Sequence, residues 1–279
     1  MIVTDTAGRP LVLVPGACLG GWAWREVAMR LRTLGHDVFA ATLTGLGERV
    51  HLAHAGVDLE THIADVVNVL DYNALEHAVL VGHSYAGAVV SAVADRCPQR
   101  LDAVCYLDAS PLPDGTAIVD VQSPQQRARQ RTDVQEHGDG WRWPVPDRQT
   151  LVSGVFGSVS GLEEAHLQLI ATRATPQPYA TMTSPVRLTH AHPPGVRRVA
   201  IFCSAGGIDL ASVRAAIARG DPRAATRARR RSPRRTGSCM SCTPDTGRCS
   251  PHRARWRSCC MRSRARRASA ASPERAVSV

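Results

Sequence analysis

The sequence predicts an α/β fold, a mostly parallel sheet with helices on both faces, and three observations carry that prediction. Short apolar runs alternate with amphipathic stretches of helical spacing, the order expected when parallel strands are joined by crossover helices. One of those runs, His77-Ala78-Val79-Leu80-Val81-Gly82, passes through His83-Ser84-Tyr85 and continues as the helical stretch Ala86-Gly87-Ala88-Val89-Val90. The stretch from Ala109 to Val196, about 90 residues, separates the last two core strands and is too long for a plain connection.

Taken in order, Pro10 to Val14 is a strand, followed by Pro15-Gly16-Ala17-Cys18-Leu19-Gly20-Gly21 and a helix from Trp22 to Leu34 that Gly35 stops. Asp37 to Thr44 is the second strand and leads into the loop Thr44-Gly45-Leu46-Gly47-Glu48-Arg49. Leu59, Ile63, Val66, Val67 and Leu70 recur at helical spacing, so an amphipathic helix ends near Tyr72. The strand before Ser84 and its helix run to about Cys97, Leu101 to Asp108 is a buried strand, Arg197 to Ser204 is a further one, and a helix follows from Leu210 to Arg219. Residues 1–110 and 197–221 therefore read as the core and residues 111–196 as a cap over the strand ends, with 222–279 a tail. No internal repeat is visible.

The net charge of +10 suggests an anionic partner until its location is considered. From Arg223 to Val279 sixteen arginines face only Asp245 and Glu274, a balance of +14, which leaves the first 222 residues at −4. A mildly acidic body argues against nucleic acid as its partner. No apolar run approaches the roughly 18 residues that span a bilayer, and Met1 to Pro10 does not read as a signal peptide. The expectation is a soluble cytoplasmic protein; the oligomeric state is unreadable. Gly45-Leu46-Gly47 lacks the third glycine and the downstream acid of a dinucleotide site, so no cofactor is expected. Cys18, Cys97, Cys105 and Cys203 are scattered through the body as small buried thiols usually are.

The chemistry-bearing feature is the turn at Ser84. A serine hydroxyl is a poor nucleophile, so it must stand clear of the sheet, beside a base, with backbone donors facing the developing oxyanion. A strand, a sharp turn and a helix with small residues at Gly82 and Ala86 provide that placement, whereas an ordinary surface serine is the plainer alternative. Ligands in such sheets bind where loops after separate strands converge. The N–H groups of Ala17, after the first strand, and of Tyr85 are the candidate oxyanion donors.

With these residues in view the chain resembles the α/β-hydrolase superfamily, and within it the small-ester esterases related to plant hydroxynitrile lyases and salicylate-ester esterases. The resemblance rests on Leu13-Val14-Pro15-Gly16-Ala17 with Gly20-Gly21-Trp22-Ala23-Trp24, on Leu43 to Arg49, on Thr61-His62-Ile63-Ala64-Asp65-Val66-Val67, and on Gly82 to Gly87. It implies the α/β-hydrolase fold and cleavage of a small-molecule ester through an acyl-enzyme at Ser84. Pro15 replaces the family's usual histidine before Gly16, a change that leaves backbone donation intact. The related lyases use an active-site lysine and a threonine at the position of Gly16; this chain has no lysine at all, which favours ester hydrolysis. The resemblance places the triad acid after the strand Arg197 to Ser204, where Ala205 stands and Asp209 is the nearest carboxylate, with Asp108 the alternative.

The resemblance also demands a histidine after a last strand, and none has that context. His83 adjoins the nucleophile, His190 and His192 precede the penultimate strand, and His252 lies among arginines. The tail after about Asp221 reads as GC-rich DNA translated out of frame. A shifted frame turns Ser238 to Gly247 into Leu-His-Glu-Leu-His-Pro-Gly-His-Trp, and Ser258 to Met261 into Leu-Leu-His, which resembles the missing strand, histidine and helix. Taken at face value, Cys239, Cys242, Cys249 and His252 have ligand types that suit zinc, but no strand or helix pattern frames them, and no metal is expected. A tail so charged and so poor in large apolar residues is expected to be unstructured.

Overall fold

The computed structural model describes residues 8–154, 158–190, 193, 195–203 and 277–278. Strands β1 (Leu11–Val14), β2 (Val38–Ala40), β3 (Ala78–His83) and β4 (Leu101–Leu107) form the parallel heart of the main sheet. Two short strands, β5 (Arg142–Trp143) and β6 (Gln177–Pro178), pair with each other, and β7 (Arg197–Ile201) runs parallel to β4. A two-residue strand, β8 (Val277–Ser278), lies antiparallel on β7, so the end of the tail is strand where none is expected. The main sheet has the order β2-β1-β3-β4-β7-β8. The chain moves outward from β1 to β2 and then returns to β3 on the other side of β1. In open parallel sheets such a reversal is where ligands bind, beyond the carboxyl ends of the strands on either side.

Helix α1 (Arg25–Thr33), entered through a 3-10 turn at Gly21–Trp24, covers one face of the sheet, where Leu13, Trp24, Ala28 and Val38 pack. It stops as expected: Gly35 is left-handed at φ 87°, its N–H bonds the Arg32 carbonyl, and the His36 N–H reaches back to Leu31. Helices α2 (Leu59–Tyr72) and α3 (Ala86–Arg96) cover the other face with Val12, Leu80 and Val104. Asp58 caps α2 by accepting the Thr61 N–H at 2.9 Å. Every α3 residue from Ala86 to Asp95 is buried, as the small, apolar composition of the stretch permits.

The second strand is shorter than the sequence suggests because side chains take over from the ladder. Ala41 still donates to Leu13, but the Thr42 hydroxyl then accepts the Gly21 N–H at 2.7 Å and Asp65 accepts the Thr44 N–H at 2.6 Å. The long stretch between β4 and β7 carries α4 (Pro124–His137), α5 (Arg148–Val152), α6 (Glu164–Arg173) and α7 (Ala180–Thr183) besides β5 and β6. No helix among the described residues is long and apolar enough to cross a membrane.

Near the end of α3, the buried Asp95 carboxylate accepts the Thr189 N–H at 2.6 Å and the His190 N–H at 2.8 Å, and lies 3.0 Å from His190 Nδ1. Burial would raise its pKa, but these donors outweigh that and hold it below the ordinary carboxylate value. Its contribution is therefore present above the unfolded carboxylate pKa and fades as acid protonates it. Asp95→Ala is expected to cost about 2 kcal/mol at neutral pH, readable in a urea melt.

Candidate active site

Ser84 stands at the strand reversal, just past the end of β3. β3 pairs with β1 as far as Val14 and Gly82, and with β4 as far as His83 and Leu107. The Ser84 N–H then bonds the Leu107 carbonyl at 3.0 Å, so the chain leaves the ladder while still anchored to it. Ser84 has φ 51°, a left-handed conformation that costs a non-glycine residue about 1 kcal/mol or more. Its side chain is exposed, whereas Tyr85 and the α3 residues after it are buried. The turn leaves no space for larger neighbours. A Cβ on Gly82 would lie 2.8 Å from the Ala86 carbonyl oxygen and 2.7 Å from Val90, and one on Gly87 would meet Ala109 and the Ser110 carbonyl at 3.0 Å.

The loop after β1 lies alongside. A Cβ on Gly16 would sit 2.8 Å from His83 Nδ1 and 3.4 Å from Ser84 Cβ, so a larger residue here would have to displace the His83 ring. Leu19 donates to the Gly16 carbonyl at 3.3 Å, closing a turn whose third residue, Cys18, is left-handed at φ 65°. Ala17 is the second residue of that turn. Among the described residues no acceptor takes the N–H of Ala17 or of Tyr85.

Two segments distant in sequence hold these loops. Cys18 donates its N–H to Gln177 Oε1 at 2.9 Å, and its carbonyl accepts the Thr175 N–H at 3.0 Å. The Gly47 N–H bonds the Thr175 hydroxyl at 3.0 Å, joining the loop after β2 to the same segment. Burial pushes the Cys18 thiol up to about 12 and so keeps it out of any thiolate chemistry. On the other side, His62 from α2 is fully buried, with Nδ1 2.8 Å from the Tyr85 hydroxyl and Nε2 2.9 Å from the Thr44 carbonyl. A carbonyl only accepts, so Nε2 carries the hydrogen and Nδ1 accepts from Tyr85. Burial lowers the His62 pKa and keeps the ring neutral.

Of the residues singled out from sequence, Ser84, Tyr85 and Ala17 meet at the reversal. Asp108 stands at the end of the neighbouring β4, left-handed at φ 47°, its N–H on Ile201 and its carboxylate accepting the Cys203 N–H at 3.1 Å. That bond draws the last strand in at Ile201 rather than Ser204. Asp209, His192, His252 and the tail cysteines lie outside the described residues. His83 packs its ring edge-on to Trp24 at 6.4 Å, and His190 is engaged by Asp95. Sequence reasoning assigned no role to His62, although a polar side chain on the apolar stripe of α2 is itself a signal that a buried partner awaits it. Gln177, within Thr175-Pro176-Gln177-Pro178, offers no such signal.

Comparison with known proteins gives the family of the chain. The model of the alpha/beta hydrolase family matches residues 11–268, and the chain belongs to that family. The carbendazim hydrolyzing esterase of Nocardioides sp. (strain SG-4G) is 48% identical over 98 residues, 35% of this chain and 40% of that protein. Salicylic acid-binding protein 2 of Nicotiana tabacum is 32% identical over 103 residues, 37% of this chain and 40% of that protein. The chain thus matches about two fifths of the length of these curated relatives. Among solved structures, an extracellular alpha/beta-hydrolase from a Paenibacillus species superposes with a TM-score of 0.62 at 22% identity, covering 70% of this chain and 78% of that one. A point mutant of tomato methylketone synthase I gives 0.57 at 18% identity, covering 70% and 79%. At such identities the likeness is one of fold.

Proposed function

We propose that this chain is built as a serine hydrolase of small carboxylic esters. The observation that carries the proposal is the exposed, left-handed Ser84 beside the Ala17 turn, at the reversal of strand order in the parallel sheet. In the proposed reaction the Ser84 Oγ attacks the ester carbonyl carbon, its proton passes to a base, and the Ala17 and Tyr85 N–H groups receive the negative oxygen. The C–O bond to the leaving alcohol then breaks with return of the proton, and water releases the acid from the acyl-enzyme. Asp108 or Asp209 would orient the base. Asp108 has in its favour its place on the strand next to the nucleophile turn. The esterase names of the carbendazim-hydrolyzing relative and of methyl jasmonate esterase 1 of Vitis vinifera support an ester as substrate. The segment 111–196 serves as the cap in this reading.

The base is the weak member, since no histidine has the sequence context the reaction needs. We therefore expect only the residual acceleration that binding and oxyanion donors give on their own, about 10³–10⁴ over water. Hydrolysis of p-nitrophenyl acetate by the full chain should be slow, and Ser84→Ala should reduce any acyl-enzyme burst to nothing. Brisk hydrolysis indifferent to Ser84→Ala would place the chemistry elsewhere; brisk hydrolysis abolished by it would reveal a base in the chain as written. Reading the gene across codons 215–250 checks the out-of-frame origin of the tail, which fails if the shifted frame holds no histidine codon. That no histidine stands after a last strand in the sequence favours a second reading, a non-catalytic binder of small apolar acids or esters. Binding that persists in Ser84→Ala without turnover would select it.

A further inference from the structure

A chain of buried polar contacts reaches the loop after β1 in the candidate site. Gln177, fully buried in β6, accepts the Cys18 N–H through Oε1 and donates through Nε2 to the Thr181 hydroxyl at 2.8 Å. Thr181, also fully buried, gives its hydrogen to the Pro178 carbonyl at 2.6 Å, while the Tyr85 phenol gives its own to His62. A side-chain amide with an acceptor and a donor so engaged, in a site without water exposure, fixes its partners firmly. At one end the partner is Cys18, whose left-handed backbone is held at the N–H by Gln177 and at the carbonyl by Thr175. The N–H of Ala17 belongs to the preceding peptide of that same Gly16–Leu19 turn. At the other end the partner is Thr181, itself tied to the Pro178 carbonyl.

We propose that Gln177 is a positioning residue: by gripping Cys18 it fixes the turn that carries the Ala17 N–H, one of the two oxyanion donors. The assignment rests on the ester-hydrolase reading above and adds to it a specific requirement on a residue 93 positions beyond Ser84. Gln177 touches no substrate. Its effect falls on the transition state, where the oxyanion forms, and little on ground-state binding.

The test compares the full chain with Gln177→Met, which keeps the length and loses both hydrogen bonds, and Gln177→Glu, which keeps an acceptor for Cys18. Two readouts are taken: residual p-nitrophenyl acetate hydrolysis, and hydrogen exchange of backbone amides by mass spectrometry. For Gln177→Met the expected result is a kcat lower by about tenfold at unchanged KM, a fraction of the 10²–10³ that outright loss of an oxyanion donor costs. Gln177→Glu should recover most of it. Exchange across residues 15–20 should accelerate while β3 and α3 keep their protection. Unchanged exchange in that turn overturns the proposal, as does a fall in protection spread over the whole sheet, which would make Gln177 a structural residue only. An unchanged kcat in Gln177→Met does so too. Loss of the ester-hydrolase reading looks different: Ser84→Ala would then match wild type, and exchange at residues 15–20 would still decide whether Gln177 holds the turn.

Discussion

Gly82→Ala is expected to lower the unfolding free energy by about 2–3 kcal/mol and to remove whatever ester hydrolysis the chain has. The added methyl would lie 2.7 and 2.9 Å from the two Val90 methyls and 2.8 Å from the Ala86 carbonyl oxygen. Side chains at 90 can yield, but the carbonyl belongs to the first turn of α3 and moves only with the backbone. Relief therefore shifts the turn that carries Ser84. The double variant Gly82→Ala, Val90→Ala separates the two causes: it should regain the part of the stability lost to the Val90 contacts while activity stays low. Urea melts and ester-hydrolysis assays of the two variants beside wild type check this, and a Gly82→Ala protein as stable and active as the parent would contradict the packing described.

His62→Leu is expected to cost about 2–4 kcal/mol near neutral pH, because it strands the Tyr85 hydroxyl and the Thr44 carbonyl in a dry interior. It should also change how stability depends on pH. Burial lowers the His62 pKa from 6.5, against upward pulls from the Thr44 carbonyl, Asp65 and Asp58, while Arg49 adds to the lowering. As pH falls through 6.5 the unfolded chain takes up the proton first, so stability drops from that point toward the lower folded value and is full above it. Melts at pH 7.5 and 5.5 should differ in wild type and converge for His62→Leu in that window. A steeper loss on acidification in the variant would refute the neutral, doubly bonded ring.

How much of this is legible in the sequence depends on whether the determinants are local. The Gly35 stop of α1, the apolar stripe of α2 and the strand, turn and helix around Ser84 depend on residues within a few positions of each other, and periodicity exposes them. The limits of β2 and β7 do not, because they are set by Thr42 with Gly21, Asp65 with Thr44 and Asp108 with Cys203, pairs separated by up to 95 positions. The same holds within the candidate site. Ser84, Tyr85 and Ala17 announce themselves through glycine spacing, whereas Gln177 sits in a proline-flanked segment whose meaning comes only from the turn it meets, 159 residues away. The expected site acid at 209 falls beyond the described residues, so Asp108 is the only one of the two carboxylates with a place in the fold to compare.

The left-handed bend at residue 84 restricts the paths open to divergent evolution. With φ at 51°, a side chain branched at Cβ would clash with its own backbone, while an unbranched one fits. A lineage with this scaffold can exchange oxygen for sulfur through cysteine, but threonine is disfavoured unless the bend itself is rebuilt.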